Sequence, residues 1–285
     1  MPPQDILVLC YHGVSRSWPA AITVTPERLV AQLSLFIRQG YRGATFTEAL
    51  TAPPHARTLV VTFDDACQSV LTSAFPVLTR LGLPGTVFVP TMYPDTGVPM
   101  GWDGYDRWLG TQYEEELRCL SWDELRTLQA GGWEIGSHTE SHPRLTTLDE
   151  GSLQRELRAS RERCETELGA PCYSIAYPYG DHDDRVVRRT REAGYALAAT
   201  VGVAATAALP LQWPRVLVAR HDSATRVRIR AWRRATPSAD AAWQKLAPPV
   251  RRVAIGIRRR RGRRKYEGED RRVGTEASDR YRAAA

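Results

Sequence analysis

Short apolar runs alternate with amphipathic segments from residue 5 to about residue 222. The runs are "DILVLCYH" (5–12), "TLVVTFDD" (58–65), "GTVFVPT" (85–91), "WEIGSHT" (133–139), "YSIAYPYG" (173–180), "YALAATVG" (195–202) and "RVLVARHD" (215–222). Each holds four to six apolar residues, many β-branched, a pattern that suits strands buried on both faces. Helical signals lie between them. "TPERLVAQLSLFIRQG" has Thr25 as cap, Pro26 at the first helical position and Gly40 as terminator. "SWDELRTLQAGG" places Glu124 three residues after Ser121, the spacing of a capping box. "LDEGSLQRELRASRERCETELGAP" and "DHDDRVVRRTREAG" predict two more helices, and "YRGATF" (41–46) one further strand. Strand–helix alternation at this length implies a parallel sheet, open or closed. Seven repeats favour an α/β fold: a distorted (β/α) barrel, complete or incomplete, of about seven parallel strands. The polar residues able to do chemistry (His12, Asp64, Asp65, His138 and His221) fall at the carboxyl ends of the runs, the face where such barrels build sites.

Charge divides the chain in two. Residues 226–285 carry 19 basic and 6 acidic residues, a balance of +13, while the other 225 carry 20 and 26, a balance of −6. The expected domains are therefore a folded body over 1–223 and a basic, arginine-rich extension over 224–285, partly helical to about 246 and unstructured beyond about 265. The run "RRRRGRR" (258–264) and the mixed stretch "VRRVAIGIRRRR" suit an anionic membrane surface. Nucleic acid is disfavoured as a partner, because the body is acidic and a nucleic-acid binder spreads positive charge over its folded face. No apolar run approaches the roughly 20 residues that span a bilayer. The N-terminal "MPPQDILVLCYHG" lacks a basic n-region, so a cytoplasmic location, or a peripheral one at the inner face of the membrane, is expected. Five cysteines, odd in number, scattered and never CxxC, indicate neither a disulfide framework nor a cysteine zinc site; reduced thiols are expected.

Two pairs stand out as candidate chemistry. Asp64 and Asp65 end a fully apolar strand, where one carboxylate can turn to a metal and the other toward a substrate, or where an aspartate can cap the following helix. His138 and His142 are four residues apart, either ligands on a single helical turn or polar residues of a loop. The order His-Thr-Glu-Ser-His is not the zincin motif, since Glu140 is two residues past the first histidine and faces away from both. Pro143 limits the element to that one turn. Two histidines with one carboxylate and an open position form a recognised catalytic metal arrangement. Trp102, Tyr105 and Trp108, in "MGWDGYDRW", can stack on a sugar or pack their loop.

"TFDD", "SHTESH" and "AYPYG", in that order, together with "YHGV" and "LVAQLSLFIRQGYRGATFTEAL", resemble the polysaccharide deacetylase family, also called NodB-homology or carbohydrate esterase family 4. The resemblance covers roughly residues 5–222 and implies a distorted (β/α) barrel. It also implies metal-dependent hydrolysis of an N-acetyl group on a sugar, glycan or lipid-linked sugar. Asp65, His138 and His142 would hold one divalent ion, most often zinc, with cobalt, nickel or manganese in relatives. Asp64 would be the general base for a metal-activated water, and the backbone N–H of Tyr179, after Pro178, would bind the oxyanion. Two departures accompany it. Ala176 stands where the family's third motif has an arginine, and Arg215 is the candidate to orient the base instead. The last motif is altered to "VARHD", which leaves His221 as the candidate general acid. His12, Pro178 and Trp102 are expected to line the substrate site. The alternatives are a degenerate barrel that binds carbohydrate without turnover, and a deformylase or amidase acting on a lipid-linked sugar.

Overall fold

The computed structural model describes residues 5–51, 57–201 and 209–235. Eight parallel strands form one sheet: β1 (Asp5–Tyr11), β2 (Arg42–Ala44), β3 (Arg57–Asp64), β4 (Thr86–Val89), β5 (Glu134–Ser137), β6 (Ser174–Ala176), β7 (Leu197–Val201) and β8 (Trp213–Leu217). Their order is β1-β8-β7-β6-β5-β4-β3-β2, and a further β1–β3 pairing closes seven of them into a barrel. β3 makes that closure possible because it is eight residues long. One edge pairs with β1 from Asp5↔Arg57 to Tyr11↔Phe63. The other serves β2 through Thr58–Val60 and β4 through Thr62–Asp64, so β2 is an extra strand beside the barrel's lower half.

Strand alternation sorts the core into two parts. Outward residues such as Leu7, Leu9, Val61, Phe63, Val87, Ile135, Ile175 and Val216 join the main core beneath the helices. Inward residues Val8, Val60, Phe88, Ala176, Leu197 and Ala199 fill the barrel, and Phe46 and Ala49 of α2 (Phe46–Thr51) plug its amino-terminal end. Gly136 on β5 leaves the space that Phe88 occupies, since a Cβ there would lie 2.7 Å from its ring. Above this apolar plug the interior turns polar: Cys10, Thr62, Asp64 and Arg215 are all buried there.

The helices begin where their caps specify. Thr25 accepts from Arg28 N at the start of α1 (Pro26–Arg38). Ser121 and Glu124 form the reciprocal capping box of α4 (Trp122–Ala130). A π-helical turn leads into α3 (Phe75–Arg80). Asp149 caps α5 (Glu150–Leu168), and Asp183 caps α6 (Asp184–Glu192). The last described helix is α7 (Ala224–Ala235), which follows Ser223 directly. Val227 on α7 is fully buried in the main core, so the compact unit runs through Ala235 and past the boundary expected at 223. The arginine-rich run and the mixed apolar–basic stretch lie outside the described residues. Among the described residues, no helix is long and apolar enough to cross a membrane.

Candidate active site and metal centre

The site lies where β1, β3, β5, β6 and β8 end. After Asp64 the chain leaves β3 through two left-handed residues, Asp65 (φ 70°) and Ala66 (φ 51°). This bend answers the alternation problem of adjacent carboxylates: Asp65 leaves the pleat, so both side chains reach the same rim from different directions. Neither caps the following turn. The second carrier is the segment after β5, which is no helical turn as the four-residue histidine spacing suggested. Thr139 (φ 68°) and His142 (φ 66°) are left-handed, and the loop is held by side chains instead of i→i+4 bonds. Glu156 on α5 accepts from the Glu140 and Ser141 N–H groups at 2.9 Å each, and Thr139 Oγ1 accepts from His142 N–H. Thr91 N–H donates to Thr139 O, which joins this loop to the segment after β4.

These two carriers bring Asp65, His138 and His142 together. Asp65 Oδ1 lies 3.4 Å from His138 Nε2 and 3.5 Å from His142 Nε2. All three residues are at least 95% buried. His138 Nδ1 is 2.8 Å from Ala176 O, an acceptor only, so that nitrogen carries a proton and the ring is held with Nε2 turned toward Asp65. Tyr105 donates its hydroxyl to Asp65 Oδ2 at 2.6 Å. Asp65 Oδ1, by contrast, is buried with no hydrogen-bond partner among the described residues. Burial opposes ionisation of Asp65, but the three neighbouring histidines hold its carboxyl well below the usual range. Burial, with His138 beside it, pushes His142 down to about 3. A carboxylate oxygen without a hydrogen-bond partner, with two imidazole Nε2 atoms turned toward it, is a two-nitrogen, one-oxygen donor set, and its chemistry fits a divalent cation. Trp102 stacks on the His142 ring at 3.9 Å and 17°, which fixes that imidazole.

Beside this group, Asp64 is gripped by Arg215. The guanidinium makes two parallel bonds, Nη1 to Oδ1 at 2.6 Å and Nη2 to Oδ2 at 2.7 Å, and Nη1 also donates to Thr62 Oγ1. Burial favours the neutral acid, but Arg215 outweighs it and holds Asp64 down to about 2. Arg215 reaches in from β8, over the Phe88 ring, while the family's arginine position on β6 holds Ala176 packed within the barrel core. Cys10 Sγ approaches Asp64 Oδ2 at 3.4 Å.

The two other candidate histidines of the chain's six stand differently from what was expected of their positions. His221 is exposed in the turn before α7, where its carbonyl accepts from Arg226, and its ring is not brought to the carboxylates. The cause is topological: β8 ends at Leu217, so by residue 221 the chain has left the rim. His12 follows β1 on the same side as Cys10, and its Nε2 stands 3.9 Å from Asp65 Oδ2. Pro178 is buried at the start of a tight turn after β6, and Tyr179 is left-handed within it (φ 60°). The Tyr179 ring packs 4.8 Å from that of His142, under the Arg144 guanidinium. Gly180 is required there, because its φ is +70° and a Cβ would lie 2.5 Å from Val201. Glu156, and the bond of Tyr105 to Asp65, escaped notice in the sequence, since each acts on a segment distant in the chain and no local motif marks it.

Residues 51–198 match the model of the polysaccharide deacetylase family. A putative polysaccharide deacetylase of Bacillus subtilis, YxkH, is 23% identical over 203 residues, 70% of this chain and 65% of its own length. The poly-beta-1,6-N-acetyl-D-glucosamine N-deacetylase of Staphylococcus aureus is 23% identical over 147 residues, 48% of this chain and 46% of its own. The match thus spans less than two thirds of either relative. Among solved structures, the Streptococcus pyogenes deacetylase PplD, in complex with acetate, superposes with a TM-score of 0.68 at 22% identity, over 80% of this chain and 99% of that one. IcaB from Ammonifex degensii gives 0.63 at 25% identity, over 80% and 97%. With more than half of its length matched to the family and its motifs gathered at one rim of the barrel, this chain belongs to the polysaccharide deacetylase family.

Proposed function

We propose that this protein hydrolyses the N-acetyl group of a carbohydrate, with a polymer or oligomer of N-acetylglucosamine as the first substrate to consider. The observation that carries the proposal is the pairing of two unlike carboxylates. Asp65 faces His138 and His142 with an oxygen left over, while Asp64, adjacent in sequence, is kept ionised by a bidentate arginine. The names of the Staphylococcus aureus relative and of PplD support deacetylation as the reaction. Asp65, His138 and His142 would hold the metal, with zinc the first choice for a set of two imidazoles and one carboxylate. When bound, such a cation supplies a Lewis acid that polarises the acyl oxygen and eases deprotonation of water.

The chain's own groups supply the rest. Asp64, ionised at neutral pH, accepts the proton of the attacking water as a C–O bond forms. Arg215 is its positioning residue, fixing both oxygens so that the remaining lone pairs face the rim. The Tyr179 N–H is offered to the acyl oxygen as charge develops there. His12, with a ring nitrogen within 4.8 Å of the Asp64 carboxylate, passes on to the amine the proton that Asp64 took up, as the C–N bond breaks, in the role for which the sequence offered His221. Acetate and a free amino sugar are the products. Ala176 does not leave the base without an arginine, since Arg215 fills that need from another strand, which argues against the non-catalytic alternative.

The test is to incubate the zinc-loaded full chain with N-acetylglucosamine oligomers and assay acetate and new primary amines. Release of both in equal amounts is expected. Asp64→Asn is expected to lose about 10²–10⁴-fold in rate, the typical contribution of a general base, while retaining stoichiometric zinc. His138→Ala is expected to lose zinc and activity together. Absence of acetate from every N-acetylated sugar offered to zinc-loaded protein would overturn the reading.

A further inference from the structure

Two of the five cysteines face each other beside the Asp65 turn. Gln68 N–H donates to Arg118 O at 3.0 Å, and Leu120 N–H donates to Ala66 O at 2.8 Å. Cys67 and Cys119 sit between these bonds as an isolated antiparallel pair. The bonds flank the pair without joining it, so it is of the non-hydrogen-bonded type. In such pairs the Cα atoms stand about 4.5 Å apart and the side chains leave on one face. A disulfide needs Cα atoms about 4.4–6.8 Å apart, a condition that this backbone arrangement already meets. Both thiols are free: Cys67 Sγ lies 3.7 Å from Tyr105 Oη, and Cys119 Sγ lies 3.9 Å from Asp65 O.

Access differs among the five. Cys119 is partly exposed, and Cys10, Cys67, Cys164 and Cys172 are buried. Cys164 and Cys172 also lie within hydrogen-bond reach of each other, but both are enclosed in the main core. A small oxidant therefore meets Cys119 first and finds Cys67 opposite it.

We propose that Cys67 and Cys119 form a reversible disulfide, by exchange with a low-molecular-weight disulfide such as oxidised glutathione, that ties the loop bearing Trp102 and Tyr105 to the turn bearing Asp65. The Cys119 thiolate attacks one sulfur of the small disulfide, forming a mixed disulfide and releasing one small thiolate. The Cys67 thiolate then attacks the Cys119 sulfur, forming the protein bond and releasing the second. The two protons from the cysteines go to the two released thiolates. The protein pair loses two electrons, and the small disulfide gains them.

The bond would act on the metal-ligand group through Tyr105. That residue packs with Cys67, Met100 and Leu117 in a cluster separate from the main core, and it holds Asp65 Oδ2. Nothing else covalent ties the loop to the turn, since all five cysteines are free.

The test uses the full folded chain, treated with oxidised glutathione, alkylated and digested without reduction, with the peptides identified by mass spectrometry. The expected result is a linked peptide pair containing Cys67 and Cys119, with Cys10 alkylated, together with a raised Tm; dithiothreitol should abolish both. Cys119→Ser should yield no linked peptide containing Cys67. The proposal is overturned if Cys119 carries only glutathione while Cys67 stays alkylated, or if the link forms only in urea-unfolded protein.

Discussion

Asp64 and Arg215 show how a carboxylate can be buried and still remain ionised. Each is at least 95% buried, and each answers the other's charge with two short bonds. Removing one partner of such a pair leaves an uncompensated buried charge, which costs about 3–5 kcal/mol. Arg215→Ala is therefore expected to destabilise the fold by that order, read from urea denaturation, as well as to cripple turnover. Tyr105 acts on the Asp65–His138–His142 group from outside it, by donating to the Asp65 oxygen that His138 and His142 do not face. Tyr105→Phe keeps the ring and its packing but removes the donor. It is expected to weaken zinc binding by about 10- to 100-fold, the usual scale for a partner of a ligand, measured by chelator competition. The aspartate and histidine pairs were legible in the sequence because each is a short motif at a strand end. Tyr105 was not, because its importance depends on a contact across 40 residues of chain.

Elements whose signals are local followed the sequence closely. The capping box of α4 satisfies two backbone donors reciprocally, both set by residues three apart. Ser121→Ala should cost about 1 kcal/mol in a chemical denaturation curve without altering zinc content, since α4 carries no site residue. The segment after β5 departed from expectation for a physical reason. His-Thr-Glu-Ser-His has helical spacing, yet Glu156 on α5 binds two of its N–H groups, and Thr139 and His142 go left-handed. A carboxylate from a neighbouring helix thus replaced the i→i+4 bonds of a turn and still brought both imidazoles to Asp65. Glu156→Ala is expected to loosen this loop and lower zinc affinity while leaving secondary structure intact, measured by chelator competition and circular dichroism.

At the scale of the molecule, the barrel and the site stabilise each other. Asp65 comes from β3, His138 and His142 from β5, and the bracing hydroxyl from the loop before α4. A cation bound by all of them is bound only by the folded chain, so it adds stability by mass action. Removal of metal with a chelator should lower Tm, and zinc added back should restore it. The gain is about 4 kcal/mol when free zinc is a thousandfold above its dissociation constant. Asp65→Ala is expected to be insensitive to both treatments.

Strand periodicity, helix caps and the order of the short motifs depend on neighbours in the chain, and the sequence by itself determined them. The two pairs Asp64–Asp65 and His138–His142 also stood out there as strand-end motifs, and the resemblance to the family singled out Asp65, His138 and His142 among them. The closed barrel brought Arg215, the candidate already named from the sequence, onto Asp64, and only the barrel decided which further histidine stands by Asp65. The β1–β3 and β1–β8 pairings set Cys10 and His12 beside Asp64 and Asp65, and β8 carries Arg215 onto Asp64. His221, four residues beyond the end of β8, was carried out to solvent. Such choices depend on register across a ring of strands, a long-range property to which no single stretch of residues is sensitive.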